Sequence, residues 1–474
     1  MTPLIGKFGE FSFYALNNTE QHGPIGLLSG NSAKDGKNLS SFLPTVTTRY
    51  LLAISAGWEI RIADGAIRRL LQIAEDTQAG IVYSDFFLEK EYEQTPCPLI
   101  DYQPGSIRDD FHFGPVLLFS IAAIKAALKK YGALPRDPAL ALYDLRLKIS
   151  LDYSIFHIPE FLYSVVAKKE DKDKGNSIQE EAHFAYVAAR NAARQKKLEK
   201  VATNYLKLRG AYLPPRTKKA GPANTSFPVQ ASVIIPVYNR KKTIDDALQS
   251  ALSQQTTFPF NIIVVDNHST DGTTRIVKKL AARYPQIQHL IPTRRDLNIG
   301  GCWNEAIYSL CCGRYSVQLD SDDLYSSPET LQTIVDAFIE GDYALVVGSY
   351  TIVNEHLQKI PPGLIDHREW TFANGHNNAL RINGLGAPRA FNTAVLRQIG
   401  FPNVGYGEDY AVALRIAREY KIGRIYSSLY LCRRWPENTD AALSVEKKNR
   451  YDFYKDKLRT MEIKARQTMN KRRA

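Results

Sequence analysis

The stretch Arg314-Tyr315-Ser316-Val317-Gln318-Leu319-Asp320-Ser321-Asp322-Asp323 reads as a buried β-strand running into a loop with three carboxylates. Hard divalent cations such as Mg2+ or Mn2+ take oxygen ligands and bridge phosphates. An Asp320-x-Asp322 pair at a strand end is therefore a place to hold a metal diphosphate, although the same carboxylates could simply cap the helix that begins near Ser327-Pro328-Glu329. A second acidic pair, Glu408-Asp409, follows Gly405-Tyr406-Gly407 and opens a helix running to Glu419. A carboxylate there can take a proton from a hydroxyl, or it can cap the helix.

The elements that must position these groups alternate. Ser232 to Val237 reads as a strand ending in Pro236-Val237-Tyr238-Asn239, and Thr243 to Ser253 as a helix. Ile262 to Val265 is a second strand, ending in Asp266-Asn267-His268-Ser269-Thr270-Asp271-Gly272, with a helix from Thr273 to Ala282. Asn298-Ile299-Gly300-Gly301 opens a helix over Cys302 to Leu310, and the acidic strand follows. Strands alternating with helices predict an α/β sheet covered on both faces, with ligands beyond the carboxyl ends of the strands. Each turn has a plainer reading as well. Pro-x-Tyr-Asn makes a simple turn, Asp266 can cap local amides, Asn304 can be a helix-face amide, and Gly384 to Arg389 can be a turn.

In this order, and over nearly all of the back half, the pieces resemble an inverting glycosyltransferase of family 2 with the GT-A fold, a Rossmann-like nucleotide-sugar domain with a mixed sheet. The resemblance implies roles for particular residues. Pro236, Tyr238 and Asn239 would belong to the nucleotide site, Asp266 would accept a hydrogen bond from the base, and Asn298 would lie near the donor. Asp320 and Ser321 would contact the donor, and Asp320 and Asp322 would hold Mn2+ or Mg2+. Gly386 would line the donor sugar. Asp409, with Glu408 beside it, would take the acceptor proton; the helix dipole favours its charged form, so position rather than basicity would activate it. Arg434 would grip the diphosphate, and Trp435 would stack on the acceptor sugar. Processive members of the family carry Gln-x-x-Arg-Trp; here Leu431 stands at the Gln position, which speaks against processive synthesis.

The implied partners are a nucleotide-diphospho-sugar, a UDP-sugar by family preference, and a glycan or lipid-linked acceptor. Two rival readings are a non-catalytic glycan-assembly scaffold and a sugar nucleotidyltransferase. The latter would need a Gly-rich loop that Val237-Tyr238-Asn239-Arg240-Lys241 lacks.

The chain of 474 residues has room for two to four domains. The expected boundaries are a 1–170 degenerate glycosyltransferase-like domain, a basic helix and Pro/Gly linker over 171–228, a catalytic domain over 229–440 and a basic helix over 441–474. The net charge of +12 suits a polyanionic partner. No nucleic-acid fold signature accompanies it, so nucleic acid is not expected. The five cysteines have no metal-ligand spacing and read as reduced thiols. With no apolar run of bilayer length and no secretion-signal pattern, a cytoplasmic location is expected. The basic helices could lean on the inner face of an anionic membrane or pair two subunits.

The two halves also resemble each other. Arg49 to Ile54 resembles Arg314 to Leu319, and Ile81 to Ser84 resembles Val346 to Ser349, each 265 positions on. Phe113-Gly114-Pro115 resembles Gly386-Ala387-Pro388, 273 positions on; Asp144 corresponds to Asp409, and Ser177 to Glu180 to Ser444 to Lys447. Ser55, Gly57 and Trp58 then stand where the rear copy has Asp320, Asp322 and Asp323. The front domain is thus expected to be a truncated α/β domain resembling the second half of the rear one, without metal.

Overall fold

The computed structural model describes residues 4–8, 11–16, 39–55, 58–90, 93–166, 191–215, 217–220, 226–435 and 443–473. The chain forms two units, one of residues 1–183, 193–212 and 443–474, the other of residues 184–192 and 213–442.

The front unit is built on strands β1 (Leu4–Phe8), β2 (Phe11–Leu16), β3 (Tyr50–Ser55), β4 (Glu59–Ile62), β5 (Ile81–Lys90), β6 (Glu93–Cys97), β7 (Val116–Ser120) and β8 (Ile155–Val166). Their order is β1-β2-β3-β7-β5-β8-β4, with β6 on β5. Successive residues of β3 point to opposite faces, so its continuous apolar run fills two cores. Leu51 and Ala53 pack with the helices Ile121–Tyr131 and Pro138–Ile149. Tyr50, Leu52 and Ile54 pack with the helix Ala66–Thr77, which buries Ile67, Leu70, Leu71 and Ala74 along one face. Residues 1–45 show no period in the sequence, yet β1 and β2 pair antiparallel there and β2 extends the sheet beside β3.

The rear unit has β9 (Ala231–Val237), β10 (Phe260–Asp266), β11 (Ile287–Leu290), β12 (Tyr315–Gln318), β13 (Leu324–Tyr325), β14 (Leu345–Val353), β15 (Lys359–Ile365), β16 (Arg389–Asn392) and β17 (Ile422–Arg433). The order is β11-β10-β9-β12-β16-β14-β17-β13, with β15 on β14. β11, β10, β9 and β12 run parallel. Val233, Ile235 and Val237 on β9 meet the helices Ile244–Leu252 and Thr330–Gly341 in one core. This is an α/β sheet covered on both faces, as the strand–helix alternation predicts, and it is mixed, as the family resemblance implies.

The path β3-β7-β5-β8-β4 has the same strand order as β12-β16-β14-β17-β13, and every pairing has the same sense. β6 and β15 add the same antiparallel edge. The bulge at Ser84, Asp85 and Phe86 answers that at Val347, Ser349 and Tyr350. Ser120 and Asn392 end equivalent strands, and each caps the following helix with its side chain.

Register refines the sequence matches. Tyr50 faces Ser120 as Tyr315 faces Asn392, keeping the offset of 265 for that strand. Ile81 faces Phe119 as Leu345 faces Phe391, so β5 shifts by one residue from the sequence match. Gly114 then corresponds to Gly386, both at positive φ. The match of Asp144 to Asp409 does not stand. Asp409 is in the first turn of its helix, whereas Asp144 sits in the second turn of Pro138–Ile149, buried and paired with Lys148 at 2.7 Å. Ser177 to Glu180, the turn 171–176 and Gly57 lie outside the described residues.

The Pro/Gly stretch after the helix Ala192–Leu208 is pinned within the rear unit. The backbone N–H of Leu213 donates to Asn377 Oδ1, and Lys218 pairs with Glu419 at 2.9 Å. The C-terminal helix Val445–Arg473 belongs to the front unit. Its Asp456 is fully buried and accepts from Ser106 Oγ (2.9 Å), Arg108 Nε (3.3 Å) and Arg459 Nη1 (2.6 Å). Buried charges persist only when paired in this way. Among the described residues no helix is long and apolar enough to cross a membrane.

Candidate active site

The acidic loop leaves β12 at its carboxyl end. Ser321 O accepts from Thr243 Oγ1 at 2.9 Å, and the N–H of Asp320 donates to Tyr430 OH at 2.8 Å. Neither Asp322 nor Asp323 caps a helix; the next one begins at Thr330 with no side-chain cap. Asp323 is buried, and its Oδ1 accepts from the N–H of Arg433 at 2.8 Å. Arg433 also donates to the Asp322 carbonyl and, at 2.8 Å, to Asp246 Oδ2. This arginine clamps the loop from β17.

Burial, and then the neighbouring Asp320 charge, push Asp322 above the usual carboxylate range, with Arg240 opposing. Its Oδ2 lies 3.8 Å from Arg240 Nε. Burial, then Asp320 and Asp322, raise Asp323 further. Carboxylates crowded together with little water form an oxygen donor set that a cation would relieve. Among the described residues no group of three or more His, Cys, Asp or Glu is gathered for a metal ion. With Asp323 committed to Arg433, the oxygen donors of the loop are Asp320 and Asp322.

The helix Glu408–Ala417 carries the second acidic pair, and no side chain caps it. Asp409 Oδ2 instead accepts from Arg389 Nη1 in a very short contact. Arg389 Nε donates to Gln318 Oε1 at 3.0 Å, and Gln318 Nε2 donates to both Asp320 oxygens at 2.9 Å. Two side chains thus link Asp320 to Asp409, and the two acidic motifs, far apart in sequence, share one site. Glu408 is buried; that burial and then the Asp409 charge push its carboxyl up to about 8.

On the nucleotide side, Tyr238 is 57% exposed at the end of β9, free to lie against a flat ring. Pro236 is half-buried at the end of that strand. Asn239, at positive φ, accepts from the N–H of Thr270 at 2.8 Å, and its own N–H donates to Ser269 Oγ at 3.0 Å. Asp266 is fully buried and accepts from the N–H of Ser269 and from Thr274 Oγ1. Burial alone would raise its carboxyl, but bonds from His289, Thr274 and Ser269 outweigh that and hold it well below the usual range. Its side chain therefore builds the turn, as the local-cap reading has it. A cavity of 560 Å3 beside that turn is lined by Ser269 to Gly272, Thr274, Arg275 and Lys278, without the acidic loop.

Asn298 precedes the helix Ile299–Tyr308 without a side-chain cap bond, and its N–H donates to Asn403 Oδ1 at 2.7 Å. The close approach at Gly300 is to Pro402, whose carbonyl oxygen would lie 1.9 Å from an added Cβ. Asn304 exchanges hydrogen bonds with the Phe401 backbone. The glycine–asparagine motif thus seats the segment ahead of Asp409. Gly386, at φ +103°, packs its Cα against the His367 ring. Arg434 donates its N–H to Val353 O at 2.8 Å, and Trp435 lies beneath the Arg433 guanidinium, 5.3 Å from the ring centre. Residue-type reading missed Gln318, Arg389, Arg433 and Asp246. Arg389 and Arg433 both stand inside motifs that drew attention, but nothing in one sequence says which neighbour of a motif turns inward.

Residues 232–399 match the model of glycosyl transferase family 2. An uncharacterized protein of Mycobacterium tuberculosis is 37% identical over 98 residues, 20% of this chain and 28% of that protein. The chondroitin synthase of Escherichia coli is 28% identical over 171 residues, 31% of this chain and 24% of the enzyme. The chain thus spans less than a third of either relative. Crystalline S. aureus TarS with UDP-GlcNAc aligns at 24% identity and a TM-score of 0.40, covering 49% of this chain and 66% of that one. The matched residues hold the acidic loop at its strand end, and the acidic helix follows just beyond them: the rear unit of this chain carries a family 2 glycosyltransferase domain over residues 232–399.

Proposed function

We propose that the rear unit transfers a sugar from a nucleotide-diphospho-sugar to a hydroxyl of a glycan or lipid-linked saccharide, with inversion and with a divalent cation. The observation that carries this reading is the linkage of Asp320 to Asp409 through Gln318 and Arg389. It supports a reading in which Asp320 on the donor side and Asp409 as base act on one reaction.

Asp320 and Asp322 would hold Mn2+ or Mg2+, and their crowding supports that assignment. Such an ion, when bound, offsets the negative charge that gathers on a departing diphosphate. Asp409 takes the acceptor O–H proton as that oxygen bonds to the anomeric carbon. The carbon–diphosphate bond breaks on the opposite side, and its electron pair leaves with the diphosphate oxygen. A single in-line displacement of this kind inverts the anomeric centre. Arg389 holds the Asp409 carboxylate in position, and Tyr238 offers a face for the base. A UDP-sugar is the first donor to try, and the polysaccharide synthase among the relatives favours a glycan acceptor.

The front unit has Ser55 and Trp58 where the rear unit has Asp320 and Asp323. We assign it a structural or docking role, as a copy that lacks the metal carboxylates. Asp322→Ala and Asp409→Ala should each abolish donor turnover in a sugar-nucleotide release assay, with melting temperatures close to wild type. Turnover that survives both substitutions removes the mechanism.

A further inference from the structure

The helix Val445–Arg473 is patterned opposite to an ordinary surface helix. Its buried face holds Lys455, Asp456, Arg459, Glu462 and Arg466 beside one apolar residue, Ile463. Surface helices normally bury their apolar stripe. The exposed residues Arg450, Phe453, Lys457, Met461, Lys464, Thr468 and Lys471 recur every three or four positions, which places them along one stripe. The four cations stand seven residues apart, and Phe453 and Met461 between them are 38% and 60% exposed.

Charge is segregated as well. Asp456 and Glu462 are turned inward and Asp452 is half-buried, leaving Glu446, at the helix start, as its exposed carboxylate. The outward stripe is therefore cationic with two apolar side chains, and Lys471, Arg472 and Arg473 extend it at the end.

We propose that this stripe is a docking surface for an anionic lipid bilayer, lying flat with its lysines and arginine at the phosphates and Phe453 and Met461 dipping between headgroups. The supporting argument is complementarity. Basic residues on an interfacial helix gain from anionic headgroups, and adjacent apolar side chains gain from leaving water. A helix of 29 residues is roughly 43 Å long, enough to bring every cation of the row to one plane. A second copy would meet the row with like charge. The proposal deepens the reading of a lipid-linked acceptor, because a bilayer-bound transferase meets such an acceptor in the same membrane, but it rests on the helix alone and is tested without turnover.

The test is co-sedimentation of the full chain with vesicles of phosphatidylcholine carrying about one third phosphatidylglycerol, at moderate salt, against pure phosphatidylcholine. Wild type should bind the anionic vesicles and leave the neutral ones. K457E/K464E/K471E should lose about a hundredfold in apparent affinity. F453S/M461S should lose several-fold. Both variants change exposed side chains, so unchanged melting curves serve as the folding control. Equal binding to neutral vesicles, full binding by the charge-reversed chain, or binding to polyuridylate with none to anionic vesicles overturns the proposal. Loss of transfer with vesicle binding intact would count against the catalytic reading and leave this one standing.

Discussion

Asp409 and its neighbours give the sharpest expectations at the residue scale. Arg389 holds Asp409, and Gln318 holds Arg389. Asp409→Asn should lower kcat by roughly 10²–10⁴-fold, the usual contribution of a positioned general base. Arg389→Gln should lower kcat by about 10²-fold with a smaller change in donor KM, because the guanidinium bonds directly to Asp409 and reaches Asp320 by charge and through Gln318. Steady-state kinetics on both variants check this, and an unchanged kcat in Arg389→Gln would show that the contact is only structural.

Glu408 gives a stability prediction with a definite sign. Its folded value, about 8, lies above its ordinary 4.5, so the folded chain keeps a proton that the unfolded chain loses. That contribution is fully present below about pH 4.5 and is lost as pH rises through about 8. Urea midpoints for wild type should therefore fall between pH 5 and pH 8 more than those of Glu408→Gln. Identical pH slopes would contradict the buried protonated carboxyl.

The acidic residues themselves were legible in the sequence as candidates, because Asp-x-Asp and Glu-Asp sit at element ends, where helix capping was the competing reason and the fold does not use it. Their partners were not. A guanidinium from β16 and an amide from β12 meet only after the sheet is assembled, and local pattern holds no record of that meeting. Asp266 shows the converse. Its type and place suggest a ligand contact, while the folded turn uses both its oxygens.

At the scale of elements, the apolar runs of β3, β9, β10 and β12 were readable because strands covered on both faces are apolar throughout. β1 and β2 were not, since β2 gains its order from pairing with β3, and β1 from pairing with β2. The helix Val445–Arg473 was readable as helix and basic, but its inward charges were hidden. They depend on Arg108 and Ser106, more than 300 positions away in the chain.

Two predictions belong at this scale. Asp456→Ala removes the fully buried anion that Ser106, Arg108 and Arg459 share, although Arg108 keeps Asp110 at 2.9 Å, and should cost about 3–5 kcal/mol in chemical denaturation. A loss below about 1 kcal/mol would mean that the network is not what holds the helix. Gly300→Ala puts a methyl group against the Pro402 carbonyl, so backbone must move. A loss of about 1–3 kcal/mol is expected from such overpacking, together with lower turnover, since the displaced segment leads into Asp409.

For the whole molecule, the repeated strand order of the two units is the feature that sequence only hinted at. Side-chain identities differ while pairing sense, bulge position and the capping positions Ser120 and Asn392 agree. Topology is fixed by hydrogen bonding and handedness, which tolerate many apolar substitutions. The acidic chemistry has no such tolerance, and the front unit presents Ser55 and Trp58 in its place. The cations of the helix Val445–Arg473 are likewise divided between buried pairs and an outward row, which composition alone could not separate.

The central claim is that Asp320 and Asp322 hold a cation that receives a nucleotide diphosphate. Calorimetric titration of UDP, and of GDP as a second probe, into wild type and Asp322→Ala, with Mn2+ and with chelator, tests it most directly. The account predicts that Mn2+ tightens nucleotide binding to wild type by at least about tenfold and that Asp322→Ala loses this gain. Equal affinity with and without Mn2+ in both proteins would contradict it.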